Sequence, residues 1–397
     1  MNDNPEYCPS LLLECALTSV KNNPSIKTGD RVLAAMSGGI DSSVMAAILH
    51  HAKLDVIGVS MQLFDKTHNT ATPKSKSVGK CCTIDDFHDA RRVAFEIGFP
   101  HYVINFKDKF ETKVISPFIE DYINGKTPSP CIRCNQHIKF GTLLDTAAEL
   151  NCSFVATGHY ACITKDTRGY HLLKSRDTNK DQSYFLFTHN QKSLAQTLFP
   201  LAQFSKSEVR QLARYLGIHI ADKNDSQEVC FVSDHYYDYI EQNKQLPMTT
   251  GYIRHVSGQI IGNHSGYWRF TIGQRKGIGV PYSTPLFVVR VDPITNVVWV
   301  GEKKDLFELE FLATEISWCL EPPSSNYLFC RVKIRSRSRE AEATVYLLEN
   351  NKARIVFNTP QMAIAPGQAV VFYHEDEILG GGWIEAKNIK QISKLFT

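Results

Sequence analysis

Two rhythms of apolar residues alternate through the first half of the chain. Short apolar runs at residues 32–36, 56–61, 102–106 and 154–157 predict strands. Between and after them, apolar residues recur every three or four positions over 43–50, 86–97, 110–122, 138–150 and 193–198, which predicts helices. Such alternation implies an α/β fold with a doubly wound parallel sheet and ligands at the carboxyl ends of its strands. Ser205 and Glu208 have the spacing of a capping box for a helix over 206–216, and Gly217 suits its C′ position. Ser233 or Asp234 would cap a last short helix running to Gln242. From Gly251 the helical period stops. Residues 268–272, 286–292 and 297–301 predict strands, with a turn at 293–296, and 315–373 continues in the same β-rich style.

At 397 residues the chain is too long for one average domain. The expected division is an extension at 1–30, an α/β domain at 31–200, a helical segment with a small β domain at 201–300, and a β domain at 301–397. A 43% hydrophobic and 21% charged composition is that of a globular protein. No apolar run approaches the ~20 residues of a membrane span. The first 30 residues carry no Arg and no cationic signal-peptide region, so a cytoplasmic protein is expected. A net charge of +3 means that any polyanion must be met by local patches. The Thr-, Lys- and Ser-rich stretch 65–80 reads as a surface loop.

Candidate chemistry begins at Met36-Ser-Gly-Gly-Ile-Asp-Ser-Ser43, directly after the first strand. Gly38 and Gly39 let backbone approach an anion, and the following helix aims its N–H groups and dipole at the same place. The hydroxyls of Ser37, Ser42 and Ser43 would add donors. The loop lacks the Gly-Lys-Ser/Thr ending of a P-loop. Eleven cysteines without a secretory signal point to thiol chemistry rather than a disulfide framework. Cys131 and Cys134 form a C-x-x-C, with Cys134 expected in a loop near a helix N-terminus, where Arg133, Lys139 and the helix dipole would favour thiolate. Cys230 lies between a polar turn and an apolar stretch. Cys8, Cys15, Cys152, Cys162, Cys319 and Cys330 are expected to be buried or inert, and Cys81-Cys82 has no assignable role.

The SGGxDS loop resembles that of the ATP-pyrophosphatases, which cleave ATP between its α and β phosphates and pass AMP to a substrate oxygen. With the segments 58–61, 125–140, 156–160, 179–187, 226–231, 270–279 and 365–368, the chain resembles the tRNA-specific 2-thiouridylases. That resemblance implies ATP with Mg2+, tRNA as substrate, a sulfur donor such as a cysteine desulfurase or relay protein, and a C-terminal β-barrel over 301–397. It places ATP on Ala35, Met36, Ser37, Gly38, Gly39, Ile40, Asp41, Ser42, Met61 and Gly158. It makes Cys230 the persulfide carrier and Cys134 its partner nucleophile. Ser129, Pro130 and Cys131 would face the target base. His159, Lys180, Asp181, Gln182 and Gln368 would touch tRNA.

The family's commonest residue at position 131 is Asp, so Cys131 is a departure. It offers a third thiolate, and Cys131, Cys134 and Cys230 would suffice for a 4Fe–4S cluster. The persulfide route needs only two thiols and is preferred; a zinc site or reversible disulfide at the C-x-x-C stays open. A different ATP-pyrophosphatase or a non-enzymatic RNA-binding descendant are the other readings. Finally, cations at 331, 333, 335, 337 and 339 would form one face of a strand. Such a row repels itself, and a phosphate backbone would relieve it, so Arg335 and Ser336 join the expected tRNA contacts, with Gln274, Arg275 and Lys276 as a smaller candidate.

Overall fold

The computed structural model describes residues 8–64, 84–224, 229–232, 235–244, 246 and 250–386. The surface loop expected at 65–80, Cys81, Cys82, Ser226 to Glu228 and the caps Ser233 and Asp234 lie outside them. Strands in chain order are β1 Arg31–Ala35, β2 Asp55–Gln62, β3 His101–Asn105, β4 Phe154–Ala156, β5 Cys162–Asp166, β6 Gly169–Leu173, β7 Thr197–Leu198, β8 Gly251–His255, β9 Ile260–His264, β10 Phe287–Asp292, β11 Val297–Gly301, β12 Phe307–Trp318, β13 Tyr327–Lys333, β14 Ala341–Leu348, β15 Lys352–Met362, β16 Ala369–His374 and β17 Glu377–Ile384.

The chain divides into two compact units, one of residues 1–114, 131–231 and 376–378, the other of 115–130, 232–375 and 379–397. The first holds a five-stranded sheet in the order β3-β2-β1-β4-β7, and its described pairings are parallel. β2 and β3 lie to one side of β1 and β4 to the other, so the winding direction reverses between β1 and β4. In such sheets ligands bind at that switch point. Val32, Ala34, Val44, Ile48 and Leu49 are fully buried in its core.

Three differences from the sequence reading have physical causes. Residues 9–21 form a helix, Pro9–Lys21, not a polar extension; Leu12, Ala16 and Val20 bury one stripe on the core beside Val209 and Leu212. The helix expected over 110–122 is broken by a π-turn, Glu111–Ile115, before Ser116–Ile123, whose Pro117 has no N–H to give. The strand expected at 268–272 is instead a short 3-10 turn, Tyr267–Arg269. There Glu241 draws both neighbours, accepting from Trp268 Nε1 at 2.9 Å and Arg269 Nη2 at 2.6 Å.

The second unit contains two β structures. β10-β11-β8-β9 is a mixed sheet in which β8 and β11 run parallel. Asn296 takes φ +54° in the turn between β10 and β11. The strands β12-β15-β14-β13-β16-β17 close into a six-stranded barrel through β12–β17 pairing, filled by Phe311, Val345, Ile355, Val370 and Phe372. No described helix is long and apolar enough to cross a membrane.

Candidate active site

The loop after β1 is shaped by its backbone. Gly38 takes φ +70°, and a Cβ there would lie 2.3 Å from the Asp86 carbonyl oxygen, so only glycine fits. Gly39 opens the helix Ile40–His51 with extended backbone and no side-chain cap. The first-turn N–H groups and the dipole therefore face the loop, the arrangement that binds anions. The helix begins two residues before Ser42, which brings Ile40 and Asp41 into that turn.

Two of the three serines also bond within the loop itself. Ser42 Oγ accepts from the Ser37 N–H at 3.1 Å and donates to the Gly39 carbonyl at 3.0 Å. Ser43 Oγ donates to the same carbonyl at 3.0 Å. Hydroxyls in a first helical turn commonly bond back this way. Ser37 alone is exposed.

Neighbouring strands complete the crevice. Met61 is the last residue but one of β2, and Gly158 follows β4. A Cβ on Gly158 would lie 2.8 Å from the Ser42 nitrogen, so this second glycine permits backbone to pass against the loop. Ser60 Oγ donates to the Met36 carbonyl at 2.8 Å and accepts from His101 Nε2 at 2.9 Å. Burial, aided by Arg91, lowers His101 to about 4, so it is the neutral ring that donates.

Three further side chains bear on the loop. Lys206 Nζ donates to both oxygens of Asp41 at 2.8 Å, and the Tyr160 hydroxyl donates to Oδ1 at 2.8 Å. Lys223 Nζ donates to the Gly38 carbonyl at 3.0 Å, to Asp86 at 2.8 Å and to Asp89 at 2.6 Å. Burial lowers the Lys223 pKa, but those carboxylates outweigh it and hold it above its ordinary value. Sequence reasoning missed both lysines, since each lies more than 160 residues from the loop. Only the Ser205–Glu208 box, present as expected, marked the start of the helix Lys206–Tyr215.

Cys134 sits in a helical turn, Pro130–Cys134, and is buried, which corrects its expected loop position. The next turn is a π-segment, Asn135–Thr142, with Phe140 outside helical geometry at φ −113° and ψ 16°. Wide turns of this kind recur at functional sites. The cations expected to favour its thiolate are engaged: Arg133 donates to Gln136 Oε1 at 3.5 Å, and Lys139 Nζ lies 3.4 Å from His159 Nε2. Cys131 is exposed and Cys230 half-buried. Phe231 anchors Cys230 by packing edge-on to the buried Phe110 at 5.7 Å. Among the described residues no three Cys, His, Asp or Glu are placed to hold one metal ion. Cys8 and Cys15 are exposed rather than buried, while burial pushes Cys330 up to about 12.

The expected tRNA contacts divide. Burial, then Lys139, lowers His159 well below its usual value; its neutral ring lies beside Phe140 and Phe199, with Nδ1 2.7 Å from Thr157 Oγ1. Asp181 accepts from the Ser175 N–H and the Ser183 hydroxyl, and Gln182 Oε1 accepts from the Tyr160 N–H. These two side chains brace their own loop. In the second unit Gln368 Nε2 donates to the carbonyls of Thr127 and Pro128 at 2.9 and 3.2 Å, fixing the backbone that leads to Ser129 and Pro130.

The basic row is also corrected. β13 ends at Lys333, and residues 334–340 turn away from strand geometry. Only Arg331 and Lys333 lie on the strand, and Arg331 meets Glu340 at 3.7 Å. Arg335 donates through Nη2 to the carbonyls of Met362 and Ala363 at 2.6 and 2.8 Å. Arg337 and Arg339, with Glu342, Asn358 and Gln361, line a cleft of about 570 Å³.

An α/β domain with an SGGxDS loop at its switch point, followed by a mixed β-sheet and a closed barrel, defines a class of ATP-using tRNA-modifying proteins. Family models described as a tRNA methyl transferase HUP domain, a tRNA methyl transferase PRC-barrel domain and an aminomethyltransferase β-barrel domain match residues 30–234, 238–302 and 308–384. The tRNA-specific 2-thiouridylase MnmA of Geobacter metallireducens is 46% identical over 91% of this chain and 98% of its own length. That of Rickettsia prowazekii is 42% identical over 89% and 98%. A U34-tRNA thiolase, NcsA from Methanococcus maripaludis, is similar at TM-score 0.37 and 17% identity, covering 60% of this chain and 73% of that one. The chain belongs to the tRNA-specific 2-thiouridylase family, despite the methyl-transfer wording of two of its domain models.

Proposed function

We propose that this chain is a tRNA sulfurtransferase that uses ATP to replace O2 of the wobble uridine with sulfur. The observation that carries the reading is the SGGxDS loop with its uncapped helix, placed at the sheet's switch point in a chain 46% identical to a thiouridylase. ATP enters as its magnesium complex, a substrate rather than a resident cofactor. Uridine O2 attacks the α phosphorus and pyrophosphate leaves, with loss of the N3 proton to solvent. A poor leaving oxygen thereby becomes AMP.

A sulfur donor first charges Cys230 as a persulfide. The terminal sulfur attacks C2 and AMP departs. Cys134 thiolate then attacks Cys230 Sγ, so the S–S bond to the base breaks, 2-thiouridine is released and a Cys134–Cys230 disulfide remains for an external thiol to reduce. The half-buried Cys230, anchored by Phe231, and the buried Cys134 beside a π-turn support these roles. Ser129, Pro130 and Cys131 face the base. tRNA is met by Lys180 and by the arginine-lined cleft around Arg337.

The test is nucleoside mass spectrometry of tRNA incubated with the protein, ATP and a persulfide donor. Appearance of ATP-dependent 2-thiouridine at the wobble position supports the reading, and an unchanged uridine under those conditions contradicts it.

A further inference from the structure

Cys131 and Cys134 share one helical turn, Pro130–Cys134, in opposite surroundings: Cys131 is exposed and Cys134 is buried. Residues three apart lie on one helix face, and helical side chains lean toward the N-terminus. The Cys134 side chain therefore leans over the turn in which Cys131 stands. Helix geometry puts the two Cα atoms about 5 Å apart, inside the roughly 4.4–6.8 Å that a disulfide spans.

The reaction proposed above ends each turnover on a Cys134–Cys230 disulfide, which joins a buried sulfur to a half-buried one. Exchange requires the attacking thiolate to reach a disulfide sulfur, so its rate falls with access. A protein dithiol meets that obstacle in full. Cys131 does not, because its own helix holds it beside Cys134, and a tethered reactant acts at high effective concentration. In the reaction as written, Cys131 faces the base and takes part in no bond.

We propose that Cys131 is the resolving thiol of this site, which carries the disulfide from the buried pair to the surface after each turnover. The inference rests on the persulfide reading and extends it by one step. Cys131 thiolate attacks Cys134 Sγ. The bond between Cys131 and Cys134 forms, the bond between Cys134 and Cys230 breaks, and the electron pair leaves on Cys230 as thiolate. No net oxidation or reduction occurs in this exchange, and Cys230 is ready for the next sulfur. An external dithiol then attacks the exposed Cys131 Sγ, and Cys134 leaves as thiolate. The dithiol's second sulfur displaces Cys131. Two electrons and two protons pass to the protein, and the dithiol ends as a disulfide. Neither Ser nor Asp at position 131 could make the exchange, since neither carries a sulfur.

The experiment follows one turnover in wild type, Cys131→Ser and Cys131→Asp. Each protein is charged with a persulfide donor, freed of excess donor, and given tRNA and ATP without reductant. It is then alkylated, digested and mapped by mass spectrometry. The expected wild-type product has Cys131 linked to Cys134 and Cys230 alkylated, whereas both variants hold a Cys134–Cys230 link. Thioredoxin, added before alkylation as the protein dithiol, should restore the wild-type thiols at least about tenfold faster than those of either variant. A wild-type map with Cys134 linked to Cys230 and Cys131 alkylated would overturn the proposal, and so would equal rates of recovery in all three proteins. The wild-type map decides even if a variant fails to fold. Formation of 2-thiouridine with no disulfide at Cys134 in any of the proteins would remove the persulfide reading itself, and the proposal with it.

Discussion

Single atoms decide whether the nucleotide loop can form. Gly158 shows this most directly, because a methyl group there would press on the backbone at Asp41 and Ser42 from 2.8 to 2.9 Å. Neither backbone can yield without moving the helix start. Gly158→Ala should therefore lower kcat for pyrophosphate release on the order of 100-fold, as ångström-scale misplacement does, while the barrel domain stays folded. Steady-state kinetics beside far-UV circular dichroism would check it, and wild-type kinetics would show that the loops have slack. The glycines and Asp41 were legible in the sequence because they follow one another in a motif. The partners of Asp41 were not, since Tyr160 and Lys206 come from distant segments and become neighbours only through the sheet. The bonds that Ser42 and Ser43 make within the loop were not legible either: a helix beginning at Ile40 puts both hydroxyls within reach of the Gly39 carbonyl.

Elements were legible wherever one periodicity ran without interruption, as in β1, β2 and the helix Lys206–Tyr215. They were misread where a tertiary contact or a proline intervened, as at Pro117 and at Glu241 with Trp268. The stretch after Cys330 is a case in which the charge pattern outlasted the strand. Its arginines now have separate predicted roles. Arg337→Ala should weaken tRNA binding by ~1 kcal/mol and lower the salt slope by about one unit. Arg335→Ala should instead lower the barrel's stability, because its guanidinium bonds two backbone carbonyls. Salt-dependent binding and thermal melts of both variants would separate them; equal binding losses with equal melts would contradict the division. A second element-scale prediction concerns β5 and β6. Buried His171 on β6 lies 2.7 Å from Asp166 on β5 and 2.6 Å from Glu377 on β17. Burial opposes its charge, but the two carboxylates outweigh that and raise its pKa. A raised histidine contributes fully below its unfolded value of about 6.5, and the contribution is lost as pH rises through the folded value. The thermal midpoint of wild type should exceed that of His171→Gln at about pH 6, with the gap closing toward about pH 9. A gap that does not change with pH would mean that His171 is not charged in the folded protein.

At the scale of the molecule, the division of chemistry between ATP activation and sulfur transfer is the central claim. The family pattern made the overall reaction legible, and the roles of the two thiols remain the proposal that the measurement below tests. It could not decide between a persulfide and a cluster, since a C-x-x-C serves either and its outcome depends on three-dimensional placement. Cys134 lies buried in a helical turn rather than in an open loop. If activation precedes sulfur transfer, the two steps can be uncoupled at one residue. The measurement is pyrophosphate release and 2-thiouridine yield, in the same reaction, for wild type and Cys230→Ser with tRNA, ATP and a persulfide donor. The account predicts pyrophosphate release within about threefold of wild type for the variant, on the scale of a residue outside the adenylation step, and no 2-thiouridine. A normal 2-thiouridine yield from Cys230→Ser would contradict it.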